Sequence, residues 1–129
     1  MEEALRILIV DDEEELVSAL VERLNLRAFQ AAGVTSGGQA LEYLSVHPCD
    51  VVLLDVKMPG LGGLELIRRI KQEHPQLEVI LLTGHGSKQD ADQGMELGAF
   101  DYLMKPVKID VLVRQLLEAA ARKGGTGRE

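Results

Sequence analysis

The sequence predicts an open α/β domain: a five-stranded parallel sheet, doubly wound, with five helices packed on both faces. Two observations carry that expectation. Short apolar, often β-branched runs alternate with stretches of helical periodicity, the pattern of a wound parallel sheet. The strongest runs, RILIV at Arg6–Val10 and VVLLD at Val51–Asp55, show no polar alternation, as strands covered on both faces require.

Each element has its own warrant. After Arg6–Val10, the stretch Glu13–Leu26 carries Leu16, Val17, Leu20 and Leu24 on one helical face. Phe29–Ala32 is a weaker strand, expected near an edge. Ser36 and Gln39 form an S-x-x-Q capping box that opens a helix with Ala40, Leu41 and Leu44 inward. That helix ends at His47–Pro48, because a residue before proline avoids helical geometry. Val51–Asp55 is the central strand. A loop with Pro59, Gly60, Gly62 and Gly63 leads to a helix reaching His74, with Leu66, Ile67 and Ile70 inward. Glu78–Thr83 is the fourth strand and Ser87–Leu97 a short helix. Gly94 inside it costs ~1 kcal/mol relative to alanine, so this helix is expected to be less rigid. Asp101–Met104 is the last strand. The final helix, Ile109–Arg122, has Ile109, Leu112, Val113, Leu116, Leu117 and Ala120 at i, i+3, i+4 spacing. The expected domain is 1–123, with 124–129 a flexible tail or the start of a linker.

Composition narrows the function classes. A chain of 129 residues is one domain with room for a core. No apolar run approaches the ~20 residues of a membrane span, and MEEALRILIV lacks the basic start of a signal peptide. Cys49 stands alone, so neither an internal disulfide nor a thiolate metal cluster is available. A cytoplasmic protein is expected. The net charge of −7, without a basic stripe, argues against direct grip on nucleic acid and for a protein partner or a small cation.

The chemistry is at the strand ends. The first strand runs into Asp11-Asp12, the third into Asp55, the fourth into Thr83 and the last into Lys105-Pro106. In a parallel sheet the C-terminal strand ends share one edge, where open α/β sheets place their ligand sites. Each residue alone has a structural explanation: a helix cap for Asp12, a strand-end hydroxyl for Thr83, a solvated charge for Lys105. Their joint placement does not. Three clustered carboxylates repel unless some are protonated or a cation sits among them. Oxygen donors without Cys or His favour a hard ion, and Mg²⁺ suits few protein ligands plus waters. A carboxylate so placed can accept a phosphoryl group as an acyl phosphate. The metal and Lys105 would supply positive charge to the phosphoryl oxygens, and Thr83 a hydroxyl donor. Asp55, ending the central strand, is the best nucleophile.

In order and spacing, ILIVDDEEEL, DVVLLDVKMPGLGGLELIRRIK, VILLTGHG and GAFDYLMKP resemble the receiver domain of response regulators over nearly the whole chain. The resemblance implies a strand order of 2-1-3-4-5 and a phosphorelay function, with Asp55 as phosphoacceptor. It implies Mg²⁺ held by Asp12, Asp55 and the main-chain carbonyl of Lys57, with Asp11 acting mainly through a metal-bound water. Thr83 and Lys105 would hold the phosphoryl oxygens, the Lys105–Pro106 bond would be cis, and Tyr102 would be the aromatic that swings inward with Thr83. The side chains of Lys57 and His85 flank the site and are candidates for tuning the acyl phosphate lifetime. His47 and His74 precede prolines at element ends, and the donor histidine is expected on a sensor kinase or phosphotransfer protein. Such a domain is a switch that catalyses only its own phosphorylation and dephosphorylation. Its output is expected through the fourth helix, last strand and final helix, toward an output domain, a partner or a second copy. Three other classes fit less well. A haloacid-dehalogenase-type hydrolase needs an aspartate where Lys57 stands, and its acidic doublet comes later in the chain. A flavodoxin-like carrier needs a phosphate-cradling first loop, and DDEEE would repel phosphate. A binding module that takes no phosphate would not need the complete residue set.

Overall fold

The computed structural model describes residues 4–58, 60–84 and 88–125, the last three by backbone alone. In chain order the elements are β1 (Arg6–Val10), α1 (Glu14–Asn25), β2 (Gln30–Val34), α2 (Gly37–Val46), β3 (Val51–Asp55), α3 (Gly63–Glu73), β4 (Glu78–Thr83), α4 (Lys88–Glu96), β5 (Asp101–Met104) and α5 (Ile109–Gly125). The strands form one parallel sheet in the order β2-β1-β3-β4-β5.

Side chains alternate across the three inner strands and build two cores. Leu8, Val10, Val52, Leu54, Val79 and Leu81 pack with Ala40, Leu44, Leu66, Ile67 and Ile70 of α2 and α3. Ile7, Ile9, Val51, Leu53, Ile80 and Leu82 pack with Val17, Leu20 and Leu24 of α1 and Leu112, Leu116 and Ala119 of α5. Fully burying one such aliphatic side chain is worth about 1.5–3 kcal/mol. This double cover explains why β1, β3 and β4 read as unbroken apolar runs. Among the described residues no helix is long and apolar enough to cross a membrane.

The structure departs from the sequence expectations in four places. β2 lies two residues later than Phe29–Ala32 at its far end, reaching Val34, while Phe29 is buried just before it. Ser36 accepts from the Gln39 N–H at 3.2 Å, but Gln39 Oε1 accepts from the N–H of Thr35, one residue before the cap, at 2.9 Å. Leu117 is 51% exposed and Ala119 is buried instead, because the α5 core stripe runs through Leu112, Leu116 and Ala119 and leaves Leu117 at its margin. α5 also continues to Gly125. Finally, Gly94 is a packing residue. A Cβ there would stand 2.2 Å from Leu81 Cδ1, so its absence lets α4 lie directly on β4. Ala91 and Gly94 are the buried residues of α4, and the helix is seated lightly. The predicted helix start at Ser87, Pro59 of the third-helix loop, and 126–129 of the predicted tail lie outside the described residues.

Candidate functional site

The parallel register carries the polar strand ends to one edge. β1 and β3 align Val10 with Leu54, so Asp11 and Asp55 emerge side by side. β3 and β4 align Asp55 with Leu82, one residue before Thr83, and β5 brings Met104 beside Thr83 and Lys105 just beyond. Asp11, Asp55 and Thr83 are buried, whereas Asp12 is exposed. The backbone fixes this edge: the Asp11 N–H donates to Val34 O at 3.3 Å, Val56 N–H to Leu82 O at 3.0 Å and Lys105 N–H to Thr83 O at 2.8 Å. The Lys105–Pro106 peptide is cis.

Asp11, Asp12 and Asp55 each offer a carboxylate oxygen, and these oxygens all lie within 4.8 Å of one another. Lys105 Nζ is 2.9 Å from Asp11 Oδ2, 3.1 Å from Glu13 Oε1 and 3.6 Å from Asp55 Oδ2. Asp11 Oδ1 accepts from the Glu13 N–H at 2.9 Å, which ties the acidic doublet to the start of α1. Asp55 Oδ1 accepts from the Lys57 N–H at 3.2 Å. Beyond the loop that follows β3, the Gly63 N–H donates to Val56 O at 3.1 Å. A Cβ on Gly63 would stand 2.5–2.6 Å from the carbonyl oxygens of Asp55 and Val56, so this close seating of α3 needs glycine.

The pocket is short of positive charge. Burial, with the Asp11 charge added, pushes the Asp55 carboxyl up from 3.8 to about 6, against the opposing pull of Lys105. Burial alone would lower the Lys105 ammonium, but its contacts with Asp11 and Glu13 and the charge of Asp55 outweigh that and raise it. Asp11 Oδ2 is buried and receives no aligned hydrogen bond, its 2.9 Å approach to Lys105 being an ion pair out of hydrogen-bonding geometry. An oxygen-only donor set of three crowded carboxylates, with a buried oxygen that receives no aligned hydrogen bond, fits a hard divalent cation.

Tyr102, half-buried on β5, packs at the border of the core that holds Leu81. The Lys57 ammonium pairs with α4, its Nζ lying 3.6 Å from Asp90 Oδ2. His85 lies outside the described residues. His47 is exposed and stacked on Tyr43 with ring centroids 4.2 Å apart, and His74 is the C-cap of α3. Burial pushes the Cys49 thiol up to about 11, an inert state. Glu13 and Asp90 were missed from the sequence. The DDEEE run signals acidity but not which glutamate meets Lys105, and nothing local links Asp90 to Lys57.

Comparison with known proteins gives a consistent picture. The family model described as response regulator receiver domain matches residues 7–117. The transcriptional regulatory protein YkoG of Bacillus subtilis, itself uncharacterized, is 38% identical over 95% of this chain and 54% of its own length. The transcriptional regulatory protein CpxR of Escherichia coli is 42% identical over 86% of this chain and 47% of its own. The chain thus spans about half the length of these curated relatives. Among solved structures, a response regulator receiver domain protein from Clostridium thermocellum superposes with a TM-score of 0.88 at 34% identity, covering 93% of this chain and 97% of that one.

Proposed function

The chain belongs to the response regulator receiver domain family, a family of signalling switches rather than classical enzymes, and from that premise we propose that Asp55 is its phosphoryl acceptor. The single observation that carries the assignment is the position of Asp55. It ends the central strand, buried, with its carboxylate among those of Asp11 and Asp12 and 3.6 Å from the Lys105 ammonium.

The donor is a phosphohistidine on a sensor kinase or phosphotransfer protein. A carboxylate oxygen of Asp55 forms a bond to phosphorus as the P–N bond breaks, and the imidazole nitrogen leaves with the electron pair and takes a proton. Thr83 and Lys105 hold the phosphoryl oxygens. Asp12, Asp55 and the main-chain carbonyl of Lys57, with Asp11 mainly through a metal-bound water, would hold Mg²⁺, which would supply positive charge for the transferred oxygens. With this set the domain catalyses its own phosphorylation and its own hydrolytic reset.

Phosphorylation adds nearly two negative charges, and it acts by biasing a two-state element. Thr83 and Tyr102 are that element's inner part, and α4, β5 and α5 form the output face toward an attached output domain, a protein partner or a second copy. The support is packing: α4 is seated lightly, and the exposed Met95, Met104 and Leu117 belong to these elements. The domain so read works in the cytoplasm and makes no direct contact with nucleic acid.

Incubation with acetyl phosphate and Mg²⁺, followed by intact mass spectrometry, tests the assignment. Wild-type protein gains one phosphoryl group, and Asp55→Asn gains none. A gain that persists in Asp55→Asn refutes it, and continuous phosphate release from varied esters points to a hydrolase.

A further inference from the structure

Resting on the acceptor role of Asp55, we propose that Asp90 is a positioning residue that holds the Lys57 ammonium on α4. There it competes with a phosphoryl group on Asp55 for the same cation. Lys57 is anchored at the acceptor, its N–H donating to Asp55 Oδ1 at 3.2 Å. Yet its ammonium pairs with Asp90 Oδ2 at 3.6 Å, with the two side chains 68% and 28% exposed. Asp90 lies in the first turn of α4, where a helix favours an anion, so its place is set by its own helix. Lys88 is paired with Asp92 and leaves Asp90 to Lys57.

The flexible four-carbon stem of Lys57 lets the ammonium swing while its backbone stays fixed. A phosphoryl group brings nearly two charges and three strong acceptor oxygens to Asp55. One partly solvated carboxylate is a weaker partner than that dianion. The ammonium therefore leaves Asp90 when Asp55 is modified, and α4 loses a tether that matters because few of its side chains are buried. By linkage the effect is reciprocal: whatever Asp90 withholds from the phosphoryl site, the phosphoryl group withholds from Asp90. An exposed ion pair of this kind is worth roughly a two- to fivefold change in an equilibrium constant.

The affinity of beryllofluoride in saturating Mg²⁺ measures this in wild type, Asp90→Asn, Lys57→Gln and the double variant. Asp90→Asn is expected to bind roughly two- to fivefold more tightly than wild type, and the double variant to match Lys57→Gln. Amide exchange over residues 91–96 of α4, whose N–H groups are bonded within the helix, is expected to quicken on beryllofluoride binding in wild type and to be quick already in free Asp90→Asn. Equal affinities in wild type and Asp90→Asn, or the same change in both Lys57 backgrounds, overturn the proposal while leaving the acceptor role standing. Failure of wild type to bind beryllofluoride at all overturns both.

Discussion

Asp55 is held in a state that costs the metal-free protein stability, and the sign of that cost can be measured. Its carboxyl sits at about 6 in the folded chain against an ordinary 3.8, through burial first and the Asp11 charge second. Between these values the folded form keeps a proton that the unfolded form has released, so stability rises as pH falls through about 6 toward 4. At neutral pH the ionised group costs up to about 3 kcal/mol, at roughly 1.4 kcal/mol per unit. Without metal, Asp55→Asn is therefore expected to be about 1–3 kcal/mol more stable than wild type near pH 7.5, with the gain shrinking at about pH 4.5. Urea unfolding in chelator at both pH values checks it, and equal midpoints near neutrality contradict the unfavourable charge. Lys105 tolerates the change because Asp11 and Glu13 still hold it at 2.9 and 3.1 Å. These residues show which parts of the site can be read from the chain. Asp11, Asp55 and Thr83 are legible because a charge or hydroxyl that interrupts or ends an apolar run marks a strand end. Glu13 and Asp90 are not, since their partners, Lys105 just after β5 and Lys57 in the loop after β3, arrive through space.

At the scale of single elements, α4 is where propensity and packing disagree. By propensity alone, Gly94→Ala should strengthen this helix by ~1 kcal/mol. The structure reverses the sign. The added methyl would come within 2.2 Å of Leu81 Cδ1, on a fully buried side chain in the centre of β4. Overpacking of this kind costs about 1–3 kcal/mol. Gly94→Ala is therefore expected to lower stability by about 1–2 kcal/mol net, whereas Gly38→Ala in α2, with nothing within 4 Å, raises it by up to about 1 kcal/mol. Denaturant midpoints of the two variants decide the matter, and stabilisation by both would mean that α4 can lift off β4 without loss. The same distinction explains the strands. β3, β4 and β5 could be bounded from the sequence, because apolar or aromatic residues run up to a polar stop. β2 could not, since the alanines and glycine of QAAGV carry little apolar signal and the strand is defined by pairing with β1.

For the whole molecule, the alternation of strands and helices announces a parallel sheet, but not the order of its strands. That order depends on which crossovers turn left or right across the sheet, and here it came from the family resemblance. The order is what gives the domain its charge asymmetry. Carboxylates far apart in the chain meet at one edge of a molecule whose net charge is already −7. The unfolded chain has no such meeting point, so the free energy of Mg²⁺ binding adds to that of folding. Each tenfold rise in Mg²⁺ above its dissociation constant is expected to add about 1.4 kcal/mol, or roughly 5 °C in Tm for a domain of this size. General screening of the net charge would also raise Tm, so the comparison is with a monovalent salt at equal ionic strength. Below the Asp55 value of about 6 the metal must displace a proton, and the Mg²⁺ dependence is expected to weaken at about pH 5. Thermal unfolding across a Mg²⁺ series at both pH values reads this directly. Melting curves that follow ionic strength alone would mean that the three carboxylates, though gathered at one edge, do not act together on a cation.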